Sequence, residues 1–355
     1  MLGLEQFDIP NALSSHHGHS RMIRLAYFEH ADYVTLLKRA YELWYELEAE
    51  SGEKLLHVTG GVYLGRPGSE LVLGSIEAAR THDLAHEVLS RDEVGKRFGQ
   101  FHVPDDTIAF YENDAGFLIP EAVVAAQAQL AMLNGAEMHG HEEVLDWTSD
   151  GKKVTVKTNR GVYEGRHLIV SAGAWTTKLL KDLDVSLRVS RQTFAWFWPS
   201  KPELFELGRF PSWALDMTER SNFHGIHYGF PMMPDNPGLK IALHWPGETT
   251  EPDVVDRSVH AEDEAELRQI LEQYLPDAVG PLLSMQTCLY TNTSDGHFII
   301  DQHPGFDNVT VACGFSGHGF KFTSVVGQVL AELAVDGEAS QPIGFLGLDR
   351  FAKGS

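Results

Sequence analysis

Two segments near the C-terminus carry most of the information about the fold: Thr287-Cys-Leu-Tyr-Thr291 and Gly314-Phe-Ser-Gly-His-Gly-Phe-Lys321. The second segment comes directly before an apolar run with helical spacing at 323–335. Its three glycines have no Cβ atom that would keep a ligand at a distance: Gly314, Gly317 and Gly319. The helix start that follows offers free N–H groups. The pattern therefore predicts that the backbone approaches a ligand closely just before a helix.

Composition limits the classes of protein to which this chain can belong. It has 355 residues, 43% of them hydrophobic, which suits about two domains of ~150 residues. The formal net charge of -22 disfavours nucleic acid as a partner, and an anionic membrane surface would repel it. Neither an apolar run of about 20 residues nor a basic-then-apolar leader occurs, so no membrane span or signal peptide is expected. With only two cysteines, Cys288 and Cys313, the chain suits a reducing compartment, and we expect the cytoplasm.

Helical and alternating patterns interleave along the chain, which predicts an α/β layer plus a second, antiparallel-sheet domain with one wet face, as over a ligand pocket. Helices are predicted at 33–50, 120–133, 261–274 and 323–335. Strands are predicted at 2–4, 61–64, 108–111, 154–158, 162–163, 167–171, 191–198, 224–230, 239–244, 298–301 and 309–312. The segment from His16 to Tyr27 is too polar for a core strand.

A polar segment near the N-terminus reads Ser15-His-His-Gly-His-Ser-Arg-Met-Ile-Arg24. Taken alone, it is a solvated basic loop or a metal site on His16, His17 and His19. The metal interpretation is weak, because no cysteine or carboxylate accompanies the histidines at a defined spacing.

Three further positions allow two interpretations each. Lys240 and His244 share one face of a strand, which is either a wet sheet face or part of a site. Lys321 stands at a helix start, where a cation is electrostatically unfavourable unless it is a surface residue or has a ligand. Cys313 is expected to be an inert packing residue, whereas Cys288 is either such a residue or a reactive thiol.

These segments together resemble the family of monomeric sarcosine oxidases and N-methyl-tryptophan oxidases, flavoenzymes of the D-amino-acid-oxidase-like superfamily, over almost the whole chain. The resemblance implies an FAD-dependent amine oxidase acting on secondary N-methyl amino acids. FAD would accept a hydride equivalent, the imine would hydrolyse, and O2 would be reduced to hydrogen peroxide. The implied protein is a monomer without a resident metal.

The resemblance also implies roles for residues around the substrate. Arg24 and Lys321 would bind its carboxylate, because cations with several donors suit that group. Tyr228, Tyr290 and His244 would shape the pocket. Near the flavin ring, the implied residues are His17, Ser20, Arg21 and Lys240, of which Lys240 would promote the reaction with oxygen. The family usually has Thr at the position of Ser20 and an acid at the position of His19, whose effect is open.

A second set of residues would hold FAD. Cys288 would carry the cofactor covalently, Glu5 would bind a ribose hydroxyl, and the backbone at Val144 would meet the adenine. The remaining implied contacts are Ala172, Gly173, Trp175, Gly314, Gly317, Gly319 and Lys321. The implied FAD-binding domain comprises residues 1–56, 118–189 and 295–355, and the substrate domain comprises 57–117 and 190–294.

One family feature does not occur near the first residues, namely the glycine loop G-x-G-x-x-G that approaches the FAD pyrophosphate. By the resemblance, the first strand, this loop and the first helix would precede Met1. Either the natural chain starts further upstream, or this chain lacks the loop and binds FAD weakly or not at all. We expect the chain as given to be less stable than a relative with that unit, because neighbouring strands would lose a partner.

Alternative functions remain open from the sequence. A related oxidase or dehydrogenase could act on cyclic amines such as pipecolate or proline. A homologue that cannot hold FAD would be non-catalytic. The run Phe194-Ala-Trp-Phe197 looks nearer to the N-methyl-tryptophan branch of the family than to the sarcosine branch.

Overall fold

The computed structural model describes residues 1–217, 225–245 and 247–351. The α-helices in this part of the chain are α1 (Tyr33–Ser51), α2 (Glu70–Thr81), α3 (Arg91–Arg97), α4 (Pro120–Leu133), α5 (Thr176–Leu179), α6 (Ala261–Tyr274) and α7 (Thr323–Val335). The strands are β1 (Leu2–Leu4), β2 (Arg21–Ile23), β3 (Leu56–Val58), β4 (Gly61–Gly65), β5 (Glu87–Ser90), β6 (Ile108–Glu112), β7 (Gly116–Leu118), β8 (Glu137–His139), β9 (Val144–Ser149), β10 (Val154–Thr158), β11 (Val162–Gly165), β12 (Leu168–Val170), β13 (Arg188–Phe197), β14 (Ser212–Asp216), β15 (Ile226–Phe230), β16 (Leu239–His244), β17 (Leu282–Asn292), β18 (Ile299–His303) and β19 (Phe306–Cys313).

The largest sheet has eight strands in the order β17-β13-β16-β15-β14-β4-β6-β5. All neighbouring pairs are antiparallel except β14 and β4, which run parallel. The large sheet is therefore antiparallel, as the sequence predicts, apart from this one pair. The interpretation of Lys240 as part of a wet sheet face is wrong, because this residue is 2% exposed. The two faces of β16 belong to different buried clusters: Leu239 and Ile241 pack in one, and Ala242 packs in the other.

Four smaller sheets complete the fold of the described ranges. Strands β1 and β8 form a parallel pair, and β12 runs parallel to β19, whose other neighbour β18 is antiparallel. The three-stranded sheets β11-β10-β9 and β2-β7-β3 are antiparallel. Helices α1 and α7 pack together over a core that includes Trp44, Phe298 and Val329. The mixture of parallel strands, helices and a large second sheet confirms the predicted mixed α/β class.

Most predicted elements agree with the structure, and helices α4, α6 and α7 and strands β10 and β16 have the predicted bounds. Helix α2 was not predicted, although Ser69 caps its first turn by accepting a hydrogen bond from the Val72 backbone. Strand β2 corrects the view that the polar segment contains no core strand: Ile23 is fully buried there. The predicted strand at 224–230 begins at Ile226, and His224 lies outside the described residues.

Hydropathy of the helices bears on membrane insertion. In the described ranges, none of the helices combines the length and apolar character that crossing a bilayer requires.

Candidate active site

A cavity of about 770 Å³ lies between the small parallel sheets and one face of the large sheet. This volume is within the range of ligand pockets, roughly 300–1,000 Å³. Both β1 and β12 line the cavity, as does the loop between β19 and α7. Fifteen of the residues predicted for the site line it: Glu5, Arg21, Arg24, Val144, Ala172, Gly173, Trp175, Tyr228, His244, Cys288, Tyr290, Gly314, Gly317, Gly319 and Lys321.

Arg24 is the first of two buried cations in this cavity. Its Nη2 atom lies 2.8 Å from both carboxylate oxygens of Glu29. The guanidinium carbon lies 5.0 Å from the ring centre of Tyr27 and 4.6 Å from that of Phe28. Burial favours the neutral form of Arg24, but Glu29 raises its pKa, so the group stays charged. Burial would also raise the pKa of Glu29, whereas Arg24 and neighbouring cationic groups lower it to about 2.

Lys321 is the second cation, and a chain of hydrogen bonds holds it. Its Nζ donates to the backbone carbonyl of His318 at 2.8 Å and lies 3.3 Å from the Tyr27 hydroxyl. The Nε2 atom of His318 is 3.0 Å from the carbonyl of Gly296, which can only accept. The Nδ1 atom of His318 must therefore accept from Tyr27, at 2.6 Å. Burial lowers the pKa of Lys321 to about 7.

Neutral polar groups face the two cations. Burial lowers the pKa of His244 to about 4, so this histidine is uncharged at neutral pH. Its Nδ1 atom lies 3.4 Å from the hydroxyl of Tyr290. Burial raises the pKa of both Tyr228 and Tyr290, so both keep their protons. This end of the cavity thus offers two cations, hydroxyl donors and a neutral imidazole.

The glycine segment after β19, residues 314–319, forms a concave part of the cavity wall, here called the cradle, that larger residues could not form. A Cβ at Gly314, whose φ is +61°, would lie 2.5 Å from a methyl group of Thr293. A Cβ at Gly317, whose φ is +79°, would collide with the ring of Tyr290. The buried Oγ1 atom of Thr291, on the same cavity wall, has no hydrogen-bond partner within the described part of the chain. The cradle and this unsatisfied group fit a large polar ligand such as FAD.

Cys288 lies in the middle of β17, opposite Gln192 of β13, and its thiol is on the cavity wall. Burial raises the pKa of this thiol, while Arg21, Lys240 and Arg257 act in the opposite direction. Cys313 is fully buried at the end of β19, in a different cluster that includes Val170 and Val311. Only one of the two cysteines is therefore placed to react with a ligand of the cavity.

The other end of the cavity contains the residues predicted for ribose and adenine. Glu5 follows β1, and its backbone is fixed by hydrogen bonds with His139 and Glu142. Its carboxylate accepts a hydrogen bond from the Phe7 backbone at 2.9 Å, and burial raises its pKa. Val144 begins β9 on the same wall. A carboxylate acceptor and a strand backbone at this end suit the polar half of a dinucleotide.

Three predicted residues, His17, Ser20 and Lys240, lie behind the cavity wall and are not among its described lining residues. Lys240 is 2% exposed, and its Nζ donates to the carbonyls of Gly18 at 2.5 Å and Ser20 at 3.0 Å. His17 donates from Nδ1 to the carbonyl of Ser14, and burial lowers its pKa to about 4.

The histidines of the N-terminal segment diverge. His16 lines the cavity, His17 is buried, and His19 is exposed with its ring 5.9 Å from that of Trp196. In the described ranges, no cluster of three or more His, Cys, Asp or Glu side chains has an arrangement that could hold a metal ion.

Sequence reasoning missed two residues of the site, Glu29 and His318. Glu29 was not predicted, because a carboxylate of the protein is unexpected where the carboxylate of a substrate should bind. Glu29 is nevertheless only five residues from Arg24 in the sequence. His318 lies inside the glycine segment from Gly314 to Lys321, yet its role depends on Tyr27, 291 residues away.

Known proteins resemble this chain over nearly its whole length. It is 40% identical to the monomeric sarcosine oxidase of Bacillus sp. (strain NS-129), with 98% of this chain and 90% of the relative covered. It is 33% identical to the N-methyl-L-tryptophan oxidase of Salmonella enteritidis PT4 (strain P125109), with coverages of 97% and 90%. The solved structure of NikD, an unusual amino acid oxidase essential for nikkomycin biosynthesis, shares the fold with a TM-score of 0.86. Its identity is 23%, and the coverages are 98% and 90%.

The FAD dependent oxidoreductase family matches residues 2–333, which include both the polar segment with Arg24 and the glycine cradle. The family match, the sequence identity over nearly the whole chain and the cavity that fits FAD lead to the same conclusion. The chain belongs to the FAD dependent oxidoreductase family.

Proposed function

We propose that this protein is a flavin-dependent oxidase of secondary N-methyl amino acids, with sarcosine as the first candidate substrate. One observation carries the proposal: Arg24 and Lys321, both buried, meet at the end of the cavity that Cys288 and the glycine cradle adjoin. Two cations with several donors suit a carboxylate. The higher identity to the sarcosine oxidase than to the N-methyl-L-tryptophan oxidase favours the smaller substrate.

The side chains of this site would bind and orient the substrate. Arg24 and Lys321 bind its carboxylate, and the neutral His244 leaves the amine without a cationic neighbour at that point. The amine must be uncharged to react, and a poorly hydrated pocket lowers the pKa of a bound amine. Tyr228 and Tyr290 bound the space left for the substrate side chain.

Phe194 and Trp196 do not decide the substrate in this proposal. Both rings pack around the ammonium of Lys240, at 4.6 and 5.5 Å from its Nζ, and neither is among the described lining residues of the cavity. The similarity of Phe194-Ala-Trp-Phe197 to the N-methyl-tryptophan branch therefore lies in residues behind the cavity wall, which do not contact the substrate in this proposal.

The cradle at 314–319 and the groups at Glu5 and Val144 would hold FAD, and Cys288 would link to it through a thioether. When bound, FAD supplies the two-electron acceptor that converts the amine to an imine and passes the electrons to O2, which gives hydrogen peroxide. Lys240 would place a buried amino group behind the Gly18–Ser20 carbonyls, and in its protonated form this group would stabilise the negative charge that develops on reduced oxygen. Arg21 lies close enough to lower the pKa of Lys240, and the ring of His17 packs against Phe194.

We also propose that the chain is divided into the two domains predicted from the sequence. Residues 57–117 and 190–294 contain nearly all of the eight-stranded sheet and would form the substrate domain. Residues 1–56, 118–189 and 295–355 would form the FAD domain. The names of the relatives favour a monomer.

The decisive experiment measures oxygen uptake and peroxide release by protein loaded with FAD, using sarcosine, N-methyl-L-tryptophan, L-proline and L-pipecolate. We expect sarcosine to give the largest kcat/KM, with one peroxide formed per oxygen consumed. Higher activity with the cyclic amines would replace the proposed substrate class. Folded protein that stays colourless with added FAD would contradict an oxidase and favour a non-catalytic homologue.

A further inference from the structure

Lys240 has an unusual environment for a charged group. Its Nζ lies 4.6 Å from the ring centre of Phe194 and 5.4 Å from that of Phe230, and the residue is 2% exposed. Two of its three N–H donors are directed at the carbonyls of Gly18 and Ser20. The position and charge of this ammonium therefore depend on the shape of the turn that contains those two carbonyls.

That turn has a conformation that needs external support. The backbone N–H of Ser20 donates to the carbonyl of Gly18 at 2.8 Å, and His19 between them has a φ of +62°. A three-residue turn with positive φ at its centre is rare and strained, and His19 is not a glycine. Such conformations persist only where the surroundings hold them in place.

Glu121 supplies this support from the side opposite to Lys240. Its Oε1 atom accepts hydrogen bonds from the backbone N–H of Gly18 at 2.6 Å and of His19 at 3.1 Å, and Oε2 lies 3.2 Å from the latter. The residue belongs to the first turn of α4, where the helix dipole stabilises a negative charge. A carboxylate therefore binds the N–H side of the turn, while the ammonium binds its C=O side.

We propose that Glu121 is a positioning residue: it holds the Gly18–Ser20 turn in the shape that presents two carbonyl oxygens to Lys240. The inference rests on the proposed function only for what Lys240 does with oxygen. The geometric claim concerns Glu121, the turn and the ammonium, and it can be tested separately.

The titratable groups that face Lys240 come from three other elements. Burial lowers the pKa of Lys240, Arg21 of β2 lowers it further, and Cys288 of β17 and Glu121 of α4 raise it. Burial raises the pKa of Glu121, but the N–H groups of Gly18 and His19 outweigh this effect, so the residue is ionised at neutral pH. Removal of its negative charge makes Lys240 harder to protonate.

Two substitutions test separately the charge of Glu121 and the length of its side chain. Glu121→Gln keeps the length of the side chain and removes the charge, whereas Glu121→Asp keeps the charge and shortens the side chain. Glu70→Gln is the matched control, because Glu70 occupies the first turn of α2, is exposed and lies outside the described cavity lining.

The first readout is the NMR titration of the Lys240 side chain in purified protein with labelled lysine, assigned by loss of its signal in Lys240→Met. We expect Glu121→Gln to lower the midpoint by about one pH unit, a tenfold change in the protonation equilibrium. Glu121→Asp should move the Lys240 signal with a smaller change of midpoint, and Glu70→Gln should match the wild type. An unchanged signal and midpoint in both Glu121 variants would overturn the proposal.

The second readout is stopped-flow kinetics of the FAD-loaded protein. Glu121→Gln should slow the reaction of the reduced enzyme with O2 roughly tenfold, and more at high pH. The rate of flavin reduction by sarcosine should change less than about twofold.

Equal losses in both half-reactions, with an unchanged Lys240 titration, would mean a merely structural role. If Lys240→Met itself leaves the oxygen reaction unchanged, the proposed function of Lys240 fails, and the NMR result still decides the role of Glu121. Should Glu121→Gln not fold, Glu121→Asp carries both measurements.

Discussion

Arg24 and Glu29 form an ion pair inside the cavity, with one guanidinium nitrogen 2.8 Å from both carboxylate oxygens. The side chains are 7% and 14% exposed, so water screens this pair poorly. Glu29 occupies the position where the carboxylate of a substrate would be expected to bind Arg24. In the proposed oxidase, the protein's own carboxylate and that of the substrate therefore compete for the same cation.

Glu29→Gln should tighten substrate binding and weaken the fold. Without the competing charge, we expect the KM for sarcosine to fall roughly tenfold, about 1.4 kcal/mol. Because Arg24 would lose its counter-charge, the free energy of unfolding should drop by about 3–5 kcal/mol. Propionate, a carboxylate that cannot be oxidised at an amine, should raise Tm more in the variant than in the wild type, since it restores a counter-charge.

The control for this prediction is Glu264→Gln, which breaks the more exposed i,i+4 pair with Arg268 on α6, whose side chains are 32% and 28% exposed. An i,i+4 surface pair contributes only about 0.3–0.5 kcal/mol, so Tm and the response to propionate should barely change. Equal propionate effects in the wild type and in Glu29→Gln would contradict the competition between the two carboxylates.

Carboxylate binding should depend on pH through Lys321. Its pKa is about 7, so the side chain is an ammonium below that pH and neutral above it. We expect the affinity for propionate to be high at pH 6 and to fall by roughly tenfold to a hundredfold at higher pH, because a charged hydrogen bond is lost. The bound anion stabilises the ammonium and moves the midpoint upward. Isothermal titration calorimetry between pH 6 and 9 measures the effect.

Two variants of Lys321 serve as controls. Lys321→Arg keeps its charge throughout this range, so its affinity should not decline between pH 6 and 9. Lys321→Met should bind propionate weakly at every pH. The same decline in Lys321→Arg as in the wild type would assign the pH dependence to another group.

Gly317→Ala should damage the cradle. The added Cβ would collide with the Tyr290 ring, and the φ of +79° is unfavourable for alanine. We expect a loss of about 1–3 kcal/mol in stability and a lower flavin absorbance per protein after reconstitution. Gly327→Ala is the matched control, because a Cβ there meets only open space in the exposed middle of α7. It should stabilise the protein by about 1 kcal/mol. Equal flavin content in the two variants would argue against the cradle.

Cys288→Ala should abolish covalent flavin while leaving room for the cofactor. After acid denaturation and gel electrophoresis, flavin fluorescence should stay with the wild-type band and be lost from the variant. Cys313→Ala should keep the fluorescence, because Cys313 belongs to a buried cluster away from the cavity. Fluorescence that persists in Cys288→Ala, or that is absent from loaded wild-type protein, would contradict the link.

Local patterns in the sequence were sufficient for many of the elements. Helix α6 repeats apolar residues at helical spacing, and β16 alternates Leu239 and Ile241 with Lys240 and Ala242, so both were predicted with the observed bounds. Helix α2 was not predicted, since Gly74 interrupts its pattern, although Gly74 is the point where the helix approaches the backbone of Phe28. Whether a strand face is wet or buried could not be read from alternation alone.

The sequence by itself determined many of the elements, the family and the residue types of the site, because periodicity, glycine segments and composition are local properties of the chain. Only the tertiary structure decided which charges face one another. The turn at Gly18 receives Glu121 from α4 and Lys240 from β16, which are about a hundred and more than two hundred residues away. Burial and the proximity of charges depend on packing between distant elements, and these two quantities decide whether a lysine or a glutamate in this protein is solvated, paired or available to a ligand.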